Sequence, residues 1–158
     1  MEESVSMIID GIWIGGEAAS ASKQFFEKEE ITAVVNATPN LQHNFVKMGV
    51  EYLRIPAGDS RDEEDIKMIK DAMPIVVQWM YYHHKILSKN ILVHCHHGIN
   101  RSATFVCAYL MKYYGLSLKD AIEFLTIRRQ AVFYHGDRPT FKMILELWEE
   151  ECKGSNKK

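Results

Sequence analysis

Cys95, Arg101 six residues further on, and Ser102 beside it stand within one short run, ILVHCHHGINRSAT, from Ile91 to Thr104. Sulfur attacks as the thiolate, not the thiol. A guanidinium can hold two oxygens of a tetrahedral oxyanion at once, which the point charge of lysine cannot do in the same way. Residues of these types at this spacing could bind an anion and attack it with sulfur.

The neighbouring residues supply the positioning. Ile91 to Val93 are strand formers, Gly98 permits a tight turn, and Arg101 to Thr104 open an apolar helix that continues through Met111. A loop running from a buried strand into a helix N-terminus aims unpaired N–H groups and the positive end of the helix dipole into one small volume. His96, His97, Gly98, Ile99 and Asn100 would form this cradle, and a phosphate fits it. In that field the Cys95 thiol is expected to fall from about 8.5 into the range of roughly 3.5 to 7.5, ionised at neutral pH. Ser102 also suits a helix cap. Cys107 and Cys152 lack a basic neighbour that would activate them and read as packing residues. Adjacent side chains of an extended segment point to opposite faces, so neither His83-His84 nor His96-His97 is expected to converge on a metal. No cofactor is expected.

The rest of the chain alternates strands and helices. Val5 to Ile9 and Ile12 to Ile14, joined by Asp10-Gly11, predict a hairpin, and Glu17 to Glu29 one weakly amphipathic helix. Ile31 to Val35 reads as a core strand, and Val50 to Ile55 as another that ends at Pro56. Ile66, Ile69, Met73, Val76, Val77 and Met80 recur at helical spacing between Glu63 and about Leu87, with Pro74 expected to kink or divide that helix. Ser102 to Tyr114 is apolar on nearly all sides, hence buried, and stops at Gly115. A further helix is capped by Ser117 and runs to Arg129; the last spans about Pro139 to Glu151 and leaves a polar tail from 153. This pattern predicts a single α/β domain over residues 1–158: a central, mostly parallel sheet of about five strands, flanked by helices on both faces.

Bulk properties narrow the function classes. A chain of 158 residues can bury roughly 70% of the surface it exposes when unfolded. A net charge of −2 gives no general attraction to nucleic acid or acidic membranes, so any anion preference must be local. No apolar run is long enough to span a bilayer, and MEESVSMIIDG lacks the pattern of a secretory leader. Three cysteines without scaffold or metal spacing fit a reducing compartment, so a cytoplasmic or nuclear location is expected.

The run His94-Cys95-His96-His97-Gly98-Ile99-Asn100-Arg101-Ser102 resembles the His-Cys-x5-Arg-Ser signature of the cysteine-dependent protein phosphatases. Arg-Ser-Ala-Thr followed by Ala108-Tyr109-Leu110-Met111 is most similar to the dual-specificity branch, in its small, atypical form. Ile9 to Gly15 resembles the opening of that branch, and Ile55-Pro56-Ala57-Gly58-Asp59-Ser60 its acid loop. Arg128-Arg129 and Pro139-Thr140-Phe141 resemble residues of its closing helices.

The resemblance implies a protein tyrosine phosphatase-like fold and metal-independent hydrolysis of phosphotyrosine and phosphoserine or phosphothreonine through a cysteinyl-phosphate. It implies Cys95 as nucleophile, Arg101 and the loop from His96 to Asn100 as phosphate ligands, and His94 as a residue that orders the loop. Asp59 would protonate the leaving group, with Asp62 as the alternative, and the Ser102 hydroxyl would stabilise the departing thiolate. A phosphoprotein substrate and a monomer are expected, without membrane or nucleic-acid partners. With no room before Val5 for the docking domain of larger relatives, a stand-alone member is expected. Cys-x-His-Gly-x-Asn-Arg is closer to the RNA 5′-triphosphatase branch, so an RNA 5′-phosphate or a phosphoinositide is the alternative substrate; Ser102 and the Asp59 loop favour protein. A phosphate-binding module without turnover is the non-enzyme alternative.

Overall fold

The apolar runs become five strands in a computed structural model, which describes residues 5–60, 62–133 and 139–156. The expectations that touch Arg61, the side chains of Pro139 and Thr140, and the last two residues of the tail lie outside the described residues. The strands are β1 (Val5–Ile9), β2 (Ile12–Gly15), β3 (Ile31–Asn36), β4 (Glu51–Arg54) and β5 (Asn90–His94), in the spatial order β1-β2-β5-β3-β4. Only β1 is antiparallel to its neighbour. β5 lies in the middle, with Gly15 and Asn36 in register on either side of His94. The chain therefore leaves the sheet after His94 at the carboxyl ends of three parallel strands, the usual place for a ligand in such sheets.

Helices cover both faces, as the alternation of strands and helices predicts. α1 (Glu17–Ser20) and α2 (Lys23–Lys28) bury Ala19 and Phe26 on the side formed by Ile31, Val34 and Leu92. The opposite side, with Ile12, Ile14, Ala33, Val35, Ile91 and Val93, packs against α3 (Glu63–Tyr81), α4 (Arg101–Tyr114), α5 (Leu118–Arg128) and α6 (Pro139–Asn156). Neighbouring strand residues thus point to opposite layers, the period of two that the sequence carries. Every residue of α4 from Arg101 to Met111 is buried. This helix is the centre of the larger layer, and the indole N–H of Trp148 in α6 donates to the Ala108 carbonyl within it at 3.1 Å. No helix among the described residues is long and apolar enough to cross a membrane.

Four local expectations are corrected. Glu17 to Glu29 is two helices, because the Ser22 hydroxyl accepts the Phe25 N–H and caps a new start. Of the kink or division expected at Pro74, division is excluded, since α3 runs through it unbroken and continues into a π-helical turn at Tyr82–Ile86. The last helix reaches Asn156, so Lys153 to Asn156 are helical and not a tail. Ser102 is no cap: α4 begins one residue earlier, Asn100 holds the cap position without a side-chain bond, and the Ser102 hydroxyl is occupied elsewhere. Ser117, by contrast, does cap α5 through the Asp120 N–H.

The adjacent histidines at 83 and 84 diverge inside the π-helical turn. His83 packs on Trp79, while His84 bridges Tyr109 of α4 (2.7 Å) and the Asp10 carbonyl of the hairpin turn (2.8 Å). A carbonyl only accepts, so Nε2 of His84 carries the proton and the Tyr109 hydroxyl donates to Nδ1. Burial lowers both imidazoles and keeps them neutral.

Candidate active site

Residues Cys95 to Asn100 link β5 to α4, and the carbonyls from His96 to Asn100 are all bonded to groups outside the loop. The His96 carbonyl accepts the Glu17 N–H (2.8 Å), and that of Ile99 accepts the Phe133 N–H (3.2 Å). The Asn100 carbonyl takes both the N–H and the hydroxyl of Thr104. Those of His97 and Gly98 are held by the guanidinium of Arg129, through Nη2 at 3.1 Å and Nε at 2.8 Å. Because each peptide has its N–H opposite its C=O, fixing five successive carbonyls outward leaves the amides facing the enclosed space. Such a nest binds an oxyanion without reorganising.

Gly98 makes the close turn possible. Its φ is +68°, and a Cβ there would lie 2.7 Å from both Arg129 Nη2 and the Gly15 carbonyl oxygen. Arg129 is itself buried, and its third arm, Nη1, reaches Ser6 Oγ at 3.0 Å. The sequence singled out Arg128 and Arg129 only by resemblance. They part company in the structure, since Arg128 lies over the Phe124 ring and bonds its carbonyl.

Cys95 and Ser102 meet across the loop, Sγ to Oγ at 3.3 Å. Burial alone would raise the Cys95 thiol. Hydrogen bonds from the hydroxyl and then the N–H of Ser102, the charge of Arg101 and the Gly98 N–H outweigh it and hold the thiol below its ordinary value. Cys107 shows the contrast: equally buried but without those partners, it is pushed up to about 12.

Arg101 is 4% exposed, a buried cation at the mouth of the nest. Its Nη1 donates to the Ala57 carbonyl at 2.7 Å, while its Nε finds no hydrogen-bond partner among the described residues. A buried donor left unmade costs about 1–3 kcal/mol, more when charged, so the site favours an acceptor that fills it. A tetrahedral oxyanion seated on the loop amides would do so. Arg101→Lys keeps the charge but loses the fork; kcat/KM is expected to fall roughly 10²- to 10³-fold, with weaker inhibition by vanadate. Wild-type kinetics would mean that Arg101 does not touch phosphate.

The bond from Arg101 docks the segment Ile55 to Ser60 onto the nest. Asp59 lies exposed in that segment, two residues beyond the pinned Ala57. Asp62 is also exposed but stands at the cap position of α3, further from the pinned carbonyl, with its N–H on Ser60 Oγ. Of the loop histidines, His96 is half-buried, with Nε2 3.1 Å from Asn40 Oδ1 and Nδ1 3.7 Å from Glu17 Oε1. His97 is exposed, and its carbonyl helps to shape the loop. Among the described residues, no group of three or more His, Cys, Asp or Glu side chains is arranged to hold a metal ion.

His94 is fully buried beneath the loop, with Nδ1 3.4 Å from the Cys95 carbonyl. Burial above all, helped by the nearby His43, Arg54 and His96, lowers it to about 4. It is neutral at pH 7 and stays so on mild acidification. Since the folded value lies below the unfolded 6.5, its stabilising effect is complete above about pH 6.5 and is lost as pH falls towards 4. One such group accounts for up to about 3 kcal/mol. Urea titrations over this range should show the loss, and His94→Asn should reduce the slope by about one proton; an unchanged slope would mean that His94 is protonated in the fold.

The model of the family described as "Dual specificity phosphatase, catalytic domain" matches residues 12–151. The chain is 32% identical over 153 residues to Dual specificity protein phosphatase Mpk3 of Drosophila melanogaster, covering 96% of this chain and 35% of that protein. It is 30% identical over 131 residues to human Dual specificity protein phosphatase 21, covering 82% and 65%. The chain thus spans between 35% and 65% of the length of these two relatives. The crystal structure of human DUSP28 superposes with a TM-score of 0.75 at 24% identity, covering 95% of each chain, a likeness of fold.

Proposed function

The chain belongs to the dual specificity phosphatase family of cysteine-dependent phosphatases, and we propose that it hydrolyses phosphotyrosine and phosphoserine or phosphothreonine in proteins through a cysteinyl-phosphate. The observation that carries this reading is the nest of outward-fixed carbonyls around a lowered thiol, with the unpartnered Nε of Arg101 beside it.

The phosphorus of a bound ester would sit within reach of Sγ. The thiolate attacks it, the S–P bond forms as the ester P–O bond breaks, and Asp59 gives its proton to the departing oxygen. Water, deprotonated by the now ionised Asp59, then displaces the sulfur and releases inorganic phosphate. The Ser102 hydroxyl, 3.3 Å from Sγ, would stabilise the thiolate that leaves in this second step. Ser102→Ala should therefore slow breakdown of the phosphoenzyme more than its formation. Rapid-quench trapping would show more phosphoenzyme at steady state, and unchanged accumulation would remove Ser102 from the second step.

The test of the function is a substrate panel: phosphotyrosine, phosphoserine and phosphothreonine peptides, phosphoinositides and 5′-triphosphate RNA, assayed with reductant and EDTA. Turnover of the phosphopeptides, blocked by vanadate, supports the proposal. Turnover confined to RNA or lipid would move the chain to another substrate class, and binding without turnover would make it a reader. The three cysteines are all free, which accords with the reducing cytoplasm or nucleus proposed as its location. A monomeric catalytic unit acting on a phosphoprotein completes the proposal.

A further inference from the structure

The segment Ile55 to Ser60, which carries Asp59, has no regular structure, so something must hold it. Arg101 grips the Ala57 carbonyl. The N–H of the same peptide group, that of Gly58, donates to Asp65 Oδ1 at 3.0 Å. The other oxygen of Asp65 accepts the Ser60 hydroxyl at 2.6 Å. The carboxylate thus takes one bond from the residue before Asp59 and one from the residue after it.

Asp65 sits at the third position of α3, from which an acidic side chain commonly turns back to the N–H of the cap residue. Here the N–H of Asp62 is already taken by Ser60 Oγ, and Asp65 reaches past it to the loop. The approach is close: a Cβ on Gly58 would lie 2.6 Å from Asp65 Oδ2. The bonds from Ser60 and Gly58, with the charge of Arg101, hold the Asp65 carboxyl below its usual range.

We propose that Asp65 is the positioning residue of the acid loop: with Arg101 it clamps both ends of the Ala57–Gly58 peptide and so sets where the Asp59 carboxyl meets the leaving group. The inference rests on the reading of Asp59 as the proton donor. Because Arg101 belongs both to this clamp and to the phosphate site, an arriving phosphate and the acid loop share one guanidinium.

The experiment is a leaving-group series, from p-nitrophenyl phosphate to alkyl phosphates, on Asp65→Ala, Asp65→Asn, Asp59→Asn and the Asp59→Asn/Asp65→Ala double variant. Misplacing a reacting group by about 1 Å can cost roughly 10²-fold, so Asp65→Ala should lose about 10- to 100-fold on alkyl esters and less than about threefold on p-nitrophenyl phosphate. Vanadate inhibition should hold. Asp65→Asn, which keeps one acceptor oxygen, should recover most of the loss. The double variant should be no slower than Asp59→Asn, because a clamp has no effect without the acid it holds. A wild-type leaving-group slope in Asp65→Ala, additive losses in the double variant, or an equal loss on all esters that follows a fall in Tm overturns the clamp alone. If Asp59→Asn itself shows no leaving-group dependence, the reading of Asp59 fails, and the clamp with it.

Discussion

Cys95→Ser should leave a folded protein with phosphatase activity reduced by roughly 10⁴-fold or more, since deleting the nucleophile of a covalent mechanism can cost about 10⁶. A serine hydroxyl at this position stays protonated, and the surroundings that lower a thiol cannot bring an alcohol into the neutral range. The same surroundings make the native thiol selective. Iodoacetamide near pH 6.5 should label Cys95 first, because Cys107 is pushed up to about 12 and Cys152 is also raised by burial. Phosphate or vanadate should protect it. The acidic limb of kcat/KM should report the ionisation of Cys95 below the ordinary thiol value. Retained turnover in Cys95→Ser, or equal labelling of the three cysteines, would remove sulfur from the mechanism.

The second large effect belongs to Asp59. As the donor to the departing oxygen, Asp59 works in the step that the thiolate opens. Asp59→Asn should lower the rate by roughly 10²- to 10⁴-fold. The loss should be smallest for p-nitrophenyl phosphate, whose leaving group scarcely needs a proton, and largest for phosphothreonine. Asp62→Asn, changed at the cap position of α3, should do little to either. Exchange of these two outcomes would reassign the acid to Asp62. Loss from neither variant would move the proton elsewhere and favour a triphosphate substrate, whose leaving group needs little assistance.

The half of the site that is contiguous in the chain is legible in the sequence. Cys95, Gly98, Arg101 and the helix that follows are related by local geometry, so their spacing alone implies a strand, a nest and a helix start. The sheet was legible for a similar reason, since runs such as Ile91 to Val93 and Ile31 to Val35 carry their burial in their composition. What could not be read is what arrives from a distance. Arg129 is marked in the sequence only by the likeness of Arg128-Arg129 to a closing helix, and Asp65 stands among the acids Asp62, Glu63 and Glu64 at the start of α3. Nothing local says that one turns under the loop and the other over it. The division between α1 and α2 was missed because the Ser22 cap outweighs a weak amphipathic pattern.

The bonds of Arg129 to Ser6, His97 and Gly98 tie together the start of the described chain, its middle and the end of α5. On a ribosome the loop would emerge well before α5, and two of its carbonyls would wait for a partner not yet made. All five strands are in the chain by His94, well before Arg129, so the sheet can form ahead of the cradle. Competence would then come as one of the last steps of folding. A nascent or partly refolded chain would carry Cys95 as an ordinary thiol, since the bonds that lower it arrive with the loop that binds phosphate.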